Sequence, residues 1–340
     1  LMVASPDQPP ALAAPTSAVA IIGNESTFVV TANDLGSGVA LDLKAEGLPA
    51  TAQFNVTHET NNSTRGTFRW TPTAADAGKT WRVTFTVSDG QLADARTTTL
   101  RIVAAESLAV VNAASYYGGA VAAQSIATAF GARLALRTEA AQAIPLPLTM
   151  AGTSVTVNGV PAQLLYVSGN QINFVIPAEV QPGVASVIVQ TALGTFALSH
   201  IPIVDAAPAI FTADASGRGD AAALATADGV TYQPSPFALT VNGKPNYLLL
   251  FGTGLRRAAN ANADDANGIA ESVAVTIGGV AAKVLYAGAQ GQYVGLDQLN
   301  LELPARLAEQ LSDVPRRVEV VVSVNGQAAN RTSAWLKKEE

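Results

Sequence analysis

Residues 155–177 read VTVNGVPAQLLYVSGNQINFVIP, and residues 275–304 read VTIGGVAAKVLYAGAQGQYVGLDQLNLELP. The second stretch echoes the first. At an offset of 120, Val155, Gly159 and Tyr166 answer Val275, Gly279 and Tyr286; at 127, Gln171, Asn173 and Pro177 answer Gln298, Asn300 and Pro304. The extra residues of the second copy fall between two strands, where a surface loop tolerates insertion. A repeat of this size means a duplicated unit. Each copy reads as strand, tight turn, strand, loop, strand, and Asn158-Gly159 is a strong hairpin signal.

The composition suits such a fold. The 340 residues are 49% hydrophobic but only 6% aromatic, so the cores must be built from Val, Ile, Leu and Ala in many short strands. With no cysteine, no disulfide can staple them, which leaves export open. A net charge of −6 argues against a nucleic-acid partner, since Arg256-Arg257 and Arg316-Arg317 are too sparse for phosphate binding. No apolar run reaches the ~20 residues of a membrane span. The chain starts at Leu1, which reads either as a mature chain after signal removal or as a trimmed sequence.

Residues 1–18 hold four prolines and no periodicity, which predicts an extended arm with an apolar tip at Leu1, Met2 and Val3. Residues 19–104 alternate with period two. Phe28/Val30, Leu41/Leu43, Phe68/Trp70, Val83/Phe85/Val87 and Leu100/Ile102 are expected to face one core, about seven strands forming an immunoglobulin-like sandwich. Residues 105–206 and 207–340 then carry one repeat copy each. Short helical turns are expected over 133–143 and 305–312, and the small, polar segment 256–270 is expected to be a mobile loop.

The wording TANDLGSGVALDLKAEGLPA at 31–50, GTFRWTPTAADAG at 66–78 and WRVTFTVSDG at 81–90 resembles the bacterial putative-Ig, cadherin-like domains. The resemblance implies a spacer or adhesive module of a secreted protein. Further on, VVNAASY at 110–116, residues 152–177, APAIFT at 207–212, LFGTGL at 250–255, IGGVAAKVLYAG at 277–288 and VGLDQLNLELP at 294–304 resemble the Solibacter-type uncharacterised C-terminal module of acidobacterial secreted proteins, over about 105–338. That resemblance implies two tandem Ig-like sandwiches on an exported protein and no particular activity. One departure is Ala122-Ala123-Gln124-Ser125, where the family has a Pro-Gly turn.

The chemistry-bearing residues are few. His58 and His200 lie in different units, and nothing has zinc-ligand spacing. Some cadherin-like relatives bind calcium through an aspartate-rich loop. Here that loop is Asn33-Asp34-Leu35-Gly36, and Asp34 and Asp89 are read as turn residues, because calcium wants six to eight oxygens. Phe251-Gly252-Thr253-Gly254-Leu255 looks like half a phosphate loop but lacks the lysine and the βαβ setting. Asp264/Asp265, Glu271, Asp297 and Glu302 are the candidate paired carboxylates of a glycosidase, but the first pair reads as a solvated loop tip and Asp297 as a turn cap. Gln171/Asn173 and Gln298/Asn300 suggest either a polar groove or side chains satisfying backbone groups at an irregular crossing, the preferred reading. Asn61, with Ser63 after it and Glu59 before it, is a candidate glycosylation acceptor; Asn24, Asn55, Asn62 and Asn330 fit the looser pattern.

The expectation is an all-β protein of three tandem immunoglobulin-like β-sandwiches behind an extended proline-rich N-terminal arm. Its function class is a non-catalytic, exported structural or adhesive protein of the cell surface, without metal or cofactor. Its partners are other copies of itself or extracellular polymers, with a filament built through Leu1, Met2 and Val3. The alternative is a carbohydrate-binding module, for which Tyr116, Tyr117, Tyr232, Tyr293 and Trp335 are the candidate aromatics.

Overall fold

A computed structural model describes residues 8–34, 40–60, 62–192, 194, 196–255 and 273–339. Over these the protein is all-β, with two short 3₁₀ turns. The chain divides into two compact units, Leu1–Ala105 and Glu106–Glu340.

The first unit is a sandwich of two four-stranded sheets. One runs in the order Ala11–Ala13, Ser26–Asn33, Ser63–Trp70, Gln53–Thr60; the other runs Ser17–Ile21, Ala93–Val103, Thr80–Ser88, Asp42–Glu46. The predicted inward residues fill the core: Val30, Leu41, Leu43, Phe68, Trp70, Val83, Phe85, Val87, Leu100 and Ile102 are buried, and Phe28 stacks on Phe68. The second half of the arm expected over 1–18 is instead strand. Alternation in Ala11–Ala13 turns Leu12 into the core, and that strand pairs antiparallel with residues 31–33. Pro15, which has no N–H, marks the switch to the second sheet, where Ser17–Ile21 runs parallel to residues 99–103. The carbonyls at the switch are not wasted: Thr98 Oγ1 donates to Pro15 O at 2.6 Å and Thr99 N to Thr16 O at 3.0 Å.

The second unit contains two sandwiches with matching pairing. In the first, the sheet Ala109–Asn112, Ile126–Phe130, Gln171–Val175, Gln163–Val167, Glu139–Ala140 packs on Val121–Ala122, Phe196–Val204, Gly183–Thr191, Thr153–Val157, Thr149–Met150. In the second, Ala209–Ile210, Tyr247–Thr253, Asp297–Glu302 and Val280–Ala289 repeat the first order, and Val273–Ile277, Arg316–Val324 and Thr332–Glu339 repeat the other. Both hairpin turns are left-handed pairs: Asn158 and Gly159 have φ of 49° and 80°, Gly278 and Gly279 of 57° and 77°. The register also slips at the same place in each copy, between Leu164/Tyr166 and between Val284/Tyr286. A shared bulge is a feature that duplication carries along. The copies differ at one telling position. Pro161 ends the short strand Val160–Pro161, whereas Ala281 lets Val280–Ala289 run unbroken through both sheets of its sandwich.

The boundary expected at 206/207 lies inside this unit, close to where the first core ends at Ile203 and the second begins at Ala206. The helical turn expected over 133–143 is not formed. Leu134 is buried and its N–H donates to Gly169 O at 2.9 Å, while Glu139–Ala140 pairs with residues 166–167, so the segment follows bends and one short strand along the sheet. The turn after Pro304 is present as the 3₁₀ helix Ala305–Glu309, anchored by buried Leu307. At the departure Ala122-Ala123-Gln124-Ser125 a tight turn forms without Pro-Gly. Gln124 takes a φ of 63°, and Ser125 bonds Ala122 O through both its N–H and its hydroxyl.

Candidate functional site

Several sequence candidates fall outside the described residues: Leu1, Met2 and Val3, Leu35 and Gly36, Asn61, the segment 256–270 with Asp264 and Asp265, and Glu271. Beside Asn61, Ser63 Oγ donates to Glu59 Oε2 at 3.3 Å. Asn330 is committed to structure. Its amide accepts Ile210 N–H at 2.8 Å and donates to Ile210 O and Gly217 O, each at 2.9 Å. Asp89 Oδ1 accepts the Gln91 and Leu92 N–H groups, both at 2.7 Å, and these bonds hold its carboxyl below the usual range. Its buried Oδ2 has no partner among the described residues. His58 Nδ1 meets Thr64 Oγ1 at 3.1 Å in the first unit, and His200 is exposed in the second. Among the described residues no three His, Cys, Asp or Glu side chains form a group able to hold a metal. No helix there is long and apolar enough to cross a membrane.

The repeated Gln/Asn pairs bond each other: Gln171 Nε2 donates to Asn173 Oδ1 at 2.9 Å, and Gln298 Nε2 to Asn300 Oδ1 at 2.7 Å. They lie opposite the bulge in each copy, yet satisfy side chains and not the backbone groups that the sequence reading assigned them.

The phosphate-loop lookalike has a structural task. Thr253, fully buried, accepts Ile126 N–H at 2.8 Å and donates to Gly295 O at 2.8 Å, joining the two sandwiches of the second unit. Asn112 Nδ2 adds a bond to Ala207 O at 3.1 Å, and Asp297 Oδ2 accepts Leu255 N–H at 2.8 Å to hold the loop. Two glycines make the approach possible. Gly217, at φ 74°, leaves no room for a Cβ, which would lie 2.6 Å from Ser115 O; a Cβ on Gly295, at φ 80°, would lie 2.6 Å from Ile126 Cγ1.

Where the sandwiches diverge, an open cleft of about 1290 Å³ remains, lined by Tyr117, Asp205, Arg218, Gln327 and Arg331 among others. Next to it, the strand Gly219–Asp220 pairs parallel with residues 332–333, and Arg316–Val324 pairs on the other side of Thr332–Glu339. On the outer face of this sheet stands a cluster that sequence reasoning missed. Trp335 Nε1 donates to Asp220 Oδ2 at 3.1 Å; Arg317 Nε and Ser333 Oγ each donate to Asp220 Oδ1 at 2.8 Å. Partial burial works to raise the Asp220 pKa, but these donors outweigh it and hold the carboxyl below its usual range. Only the alternation of Ser333 and Trp335 with Thr332, Ala334 and Leu336 could have hinted at the cluster, because Asp220 and Arg317 lie far off in sequence.

No family model and no curated protein matches the chain. Solved structures that resemble it include the Bacteroides ovatus mixed-linkage glucan utilization locus protein SGBP-B in complex with a mixed-linkage heptasaccharide. It is 11% identical, covering 98% of this chain and 72% of that one, with a TM-score of 0.32. The three-domain titin fragment I67–I69 is 9% identical over 98% and 99% of the two chains, with a TM-score of 0.23. At such scores the likeness carries no argument about function, and the all-β sandwich architecture rests on the strand pairing described above.

Proposed function

We propose that this is a non-catalytic, exported structural or adhesive protein of the bacterial cell surface that assembles with copies of itself. The observation that carries the reading is an open edge in the first unit. Gln53–Thr60, eight residues long and largely exposed, ends its sheet and pairs among the described residues only with Ser63–Trp70. A long edge strand is a template for another chain unless something covers it. The uncharged segment Leu-Met-Val-Ala-Ser at residues 1–5, ended by Pro6, has the chemistry to add to such an edge in a neighbour. Transfer head to tail without closure yields a filament. The second unit supports the same reading from another side, because part-buried hydrogen bonds from Ile126 to Thr253 and from Asn112 to Ala207 tie two sandwiches into one block.

Sedimentation and electron microscopy of the full chain and of a form lacking residues 1–7 test this. The full chain is expected to polymerise and the shortened one to stay monomeric and folded. Equal polymerisation of both, or a monomeric full chain at high concentration, overturns it. A second reading, a carbohydrate-binding protein, is favoured by one observation: Trp335, held on an outer sheet face beside Asp220 and Arg317.

A further inference from the structure

We propose that the outer face carrying Trp335, together with the adjoining cleft, binds a neutral polysaccharide; this rests on the carbohydrate-binding reading and names its site and ligand. The argument begins with the indole. Trp335 alternates with buried Ala334 and Leu336, so its ring faces away from the core and adds little to packing there, with 40% of its surface exposed. Its one polar handle is tied to Asp220, which fixes the ring plane. A fixed, amphipathic aromatic surface suits a ligand with an apolar face and polar edges. A pyranose ring is such a ligand: axial C–H groups on one face and hydroxyls around the rim.

The rim of the platform supplies what hydroxyls need. A hydroxyl both donates and accepts. Among the described residues Arg317 uses its Nε on Asp220 and Ser333, which leaves both terminal amines as donors. Asp220 Oδ2 takes one bond, from Trp335, and keeps capacity to accept another. Donor and acceptor thus sit side by side next to the ring.

The surface also extends. Ser333 and Trp335 share one face of the strand Thr332–Glu339, and Arg331 immediately precedes that strand, roughly 13 Å from Trp335 along the chain, room for more than one sugar ring. Arg331 lines the cleft as well, where exposed Tyr117 offers a second aromatic surface. The cations flanking the ring are largely paired: Arg317 with Asp220 and Arg331 with Glu319, while Arg218 and Asp205, of opposite charge, both line the cleft and Lys337 follows Trp335 on the same face. Paired charges leave little net field to select a charged polymer, which is why the ligand is assigned as neutral.

The test is affinity electrophoresis of the full chain through gels containing soluble glucans, mannans or xylans, at low and high salt. At least one polymer is expected to retard the protein equally at both salt levels. Trp335→Ala should weaken binding at least tenfold, and Trp335→Phe, which keeps a ring but loses the bond to Asp220, should bind at an intermediate level. Tyr293→Ala, at an exposed tyrosine outside this face, should bind as the parent does. Retardation undiminished in Trp335→Ala, with circular dichroism unchanged, refutes this site while leaving the carbohydrate-binding reading standing. Retardation lost at high salt refutes the neutral ligand. No retardation by any polymer overturns both the site and the reading.

Discussion

Replacing Thr253 with valine removes one hydroxyl and almost no volume, and the fusion of the two sandwiches predicts a large effect. That hydroxyl takes the Ile126 N–H and gives its proton to Gly295 O, each at 2.8 Å, in a site with no solvent exposure at Thr253. Valine fills the same space but leaves one donor and one acceptor without partners. Each unsatisfied buried group costs about 1–3 kcal/mol, and the half-buried Ile126 amide falls at the low end, so the total is about 2–4 kcal/mol. Thr253→Ser keeps both bonds and loses one methyl group, about 1 kcal/mol. The order is therefore wild type, then serine, then valine, whereas an order set by hydrophobicity would put valine first and serine last. Denaturant unfolding followed at Trp335 reads the second unit, whereas Trp70 and Trp81 report the first. Hydrogen exchange at the Ile126 amide should accelerate in Thr253→Val and stay near wild type in Thr253→Ser. If valine is as stable as threonine within about 0.5 kcal/mol and the Ile126 amide remains protected, the hydroxyl does not join the sandwiches.

Two further predictions concern the loops. Chelation of calcium should leave the melting temperature unchanged, since Asp89 already spends Oδ1 on its own turn; a drop of several degrees would reveal an ion bound to the folded state. Asp228 accepts the Thr231 and Val230 N–H groups, which lower its pKa to about 2 from 3.8. A folded pKa below the unfolded one means that this carboxylate stabilises its turn above about pH 4 and loses that contribution as the pH falls toward 2. Carboxyl-carbon NMR should place the Asp228 midpoint near 2, and Asp228→Asn should make the turn insensitive over that range; a midpoint near 4 contradicts the geometry.

Much of the fold was legible because its signals are local. Period-two alternation picked out the first-unit core, and left-handed turn residues such as Asn158-Gly159 marked the hairpins. The duplication was visible in matched residues, from Val155/Val275 to the shared Gln/Asn pair, and the structure adds a bulge common to both copies. The failures have physical reasons. Leu12 looked like part of a linker because Pro9, Pro10 and Pro15 surround it, yet a three-residue strand suffices to bury one leucine. Residues 133–143 seemed helical by composition, but the sheet offered them better backbone partners. Phe251–Leu255 read rightly as a strand end and not a phosphate loop, but the joining role of Thr253 stayed hidden, because a sequence does not say that its hydroxyl will meet residue 126. The Asp220, Arg317 and Trp335 cluster was hidden for the same reason, being assembled across three strands from distant positions.

The absence of cysteine from the chain allows a direct test of assembly through the N-terminal arm. Met2→Cys is made in one preparation and Val56→Cys, on the open edge strand, in another. The two are mixed under mild oxidation. Cβ atoms of directly opposed residues in paired strands approach to about 4.5–5.5 Å, close enough for a disulfide to form with small adjustments. The account predicts a disulfide-linked heterodimer within growing polymers, and none when Val56→Cys is exchanged for Val184→Cys, an exposed position in the second unit. Cross-linking no greater than in the Val184→Cys control would contradict it.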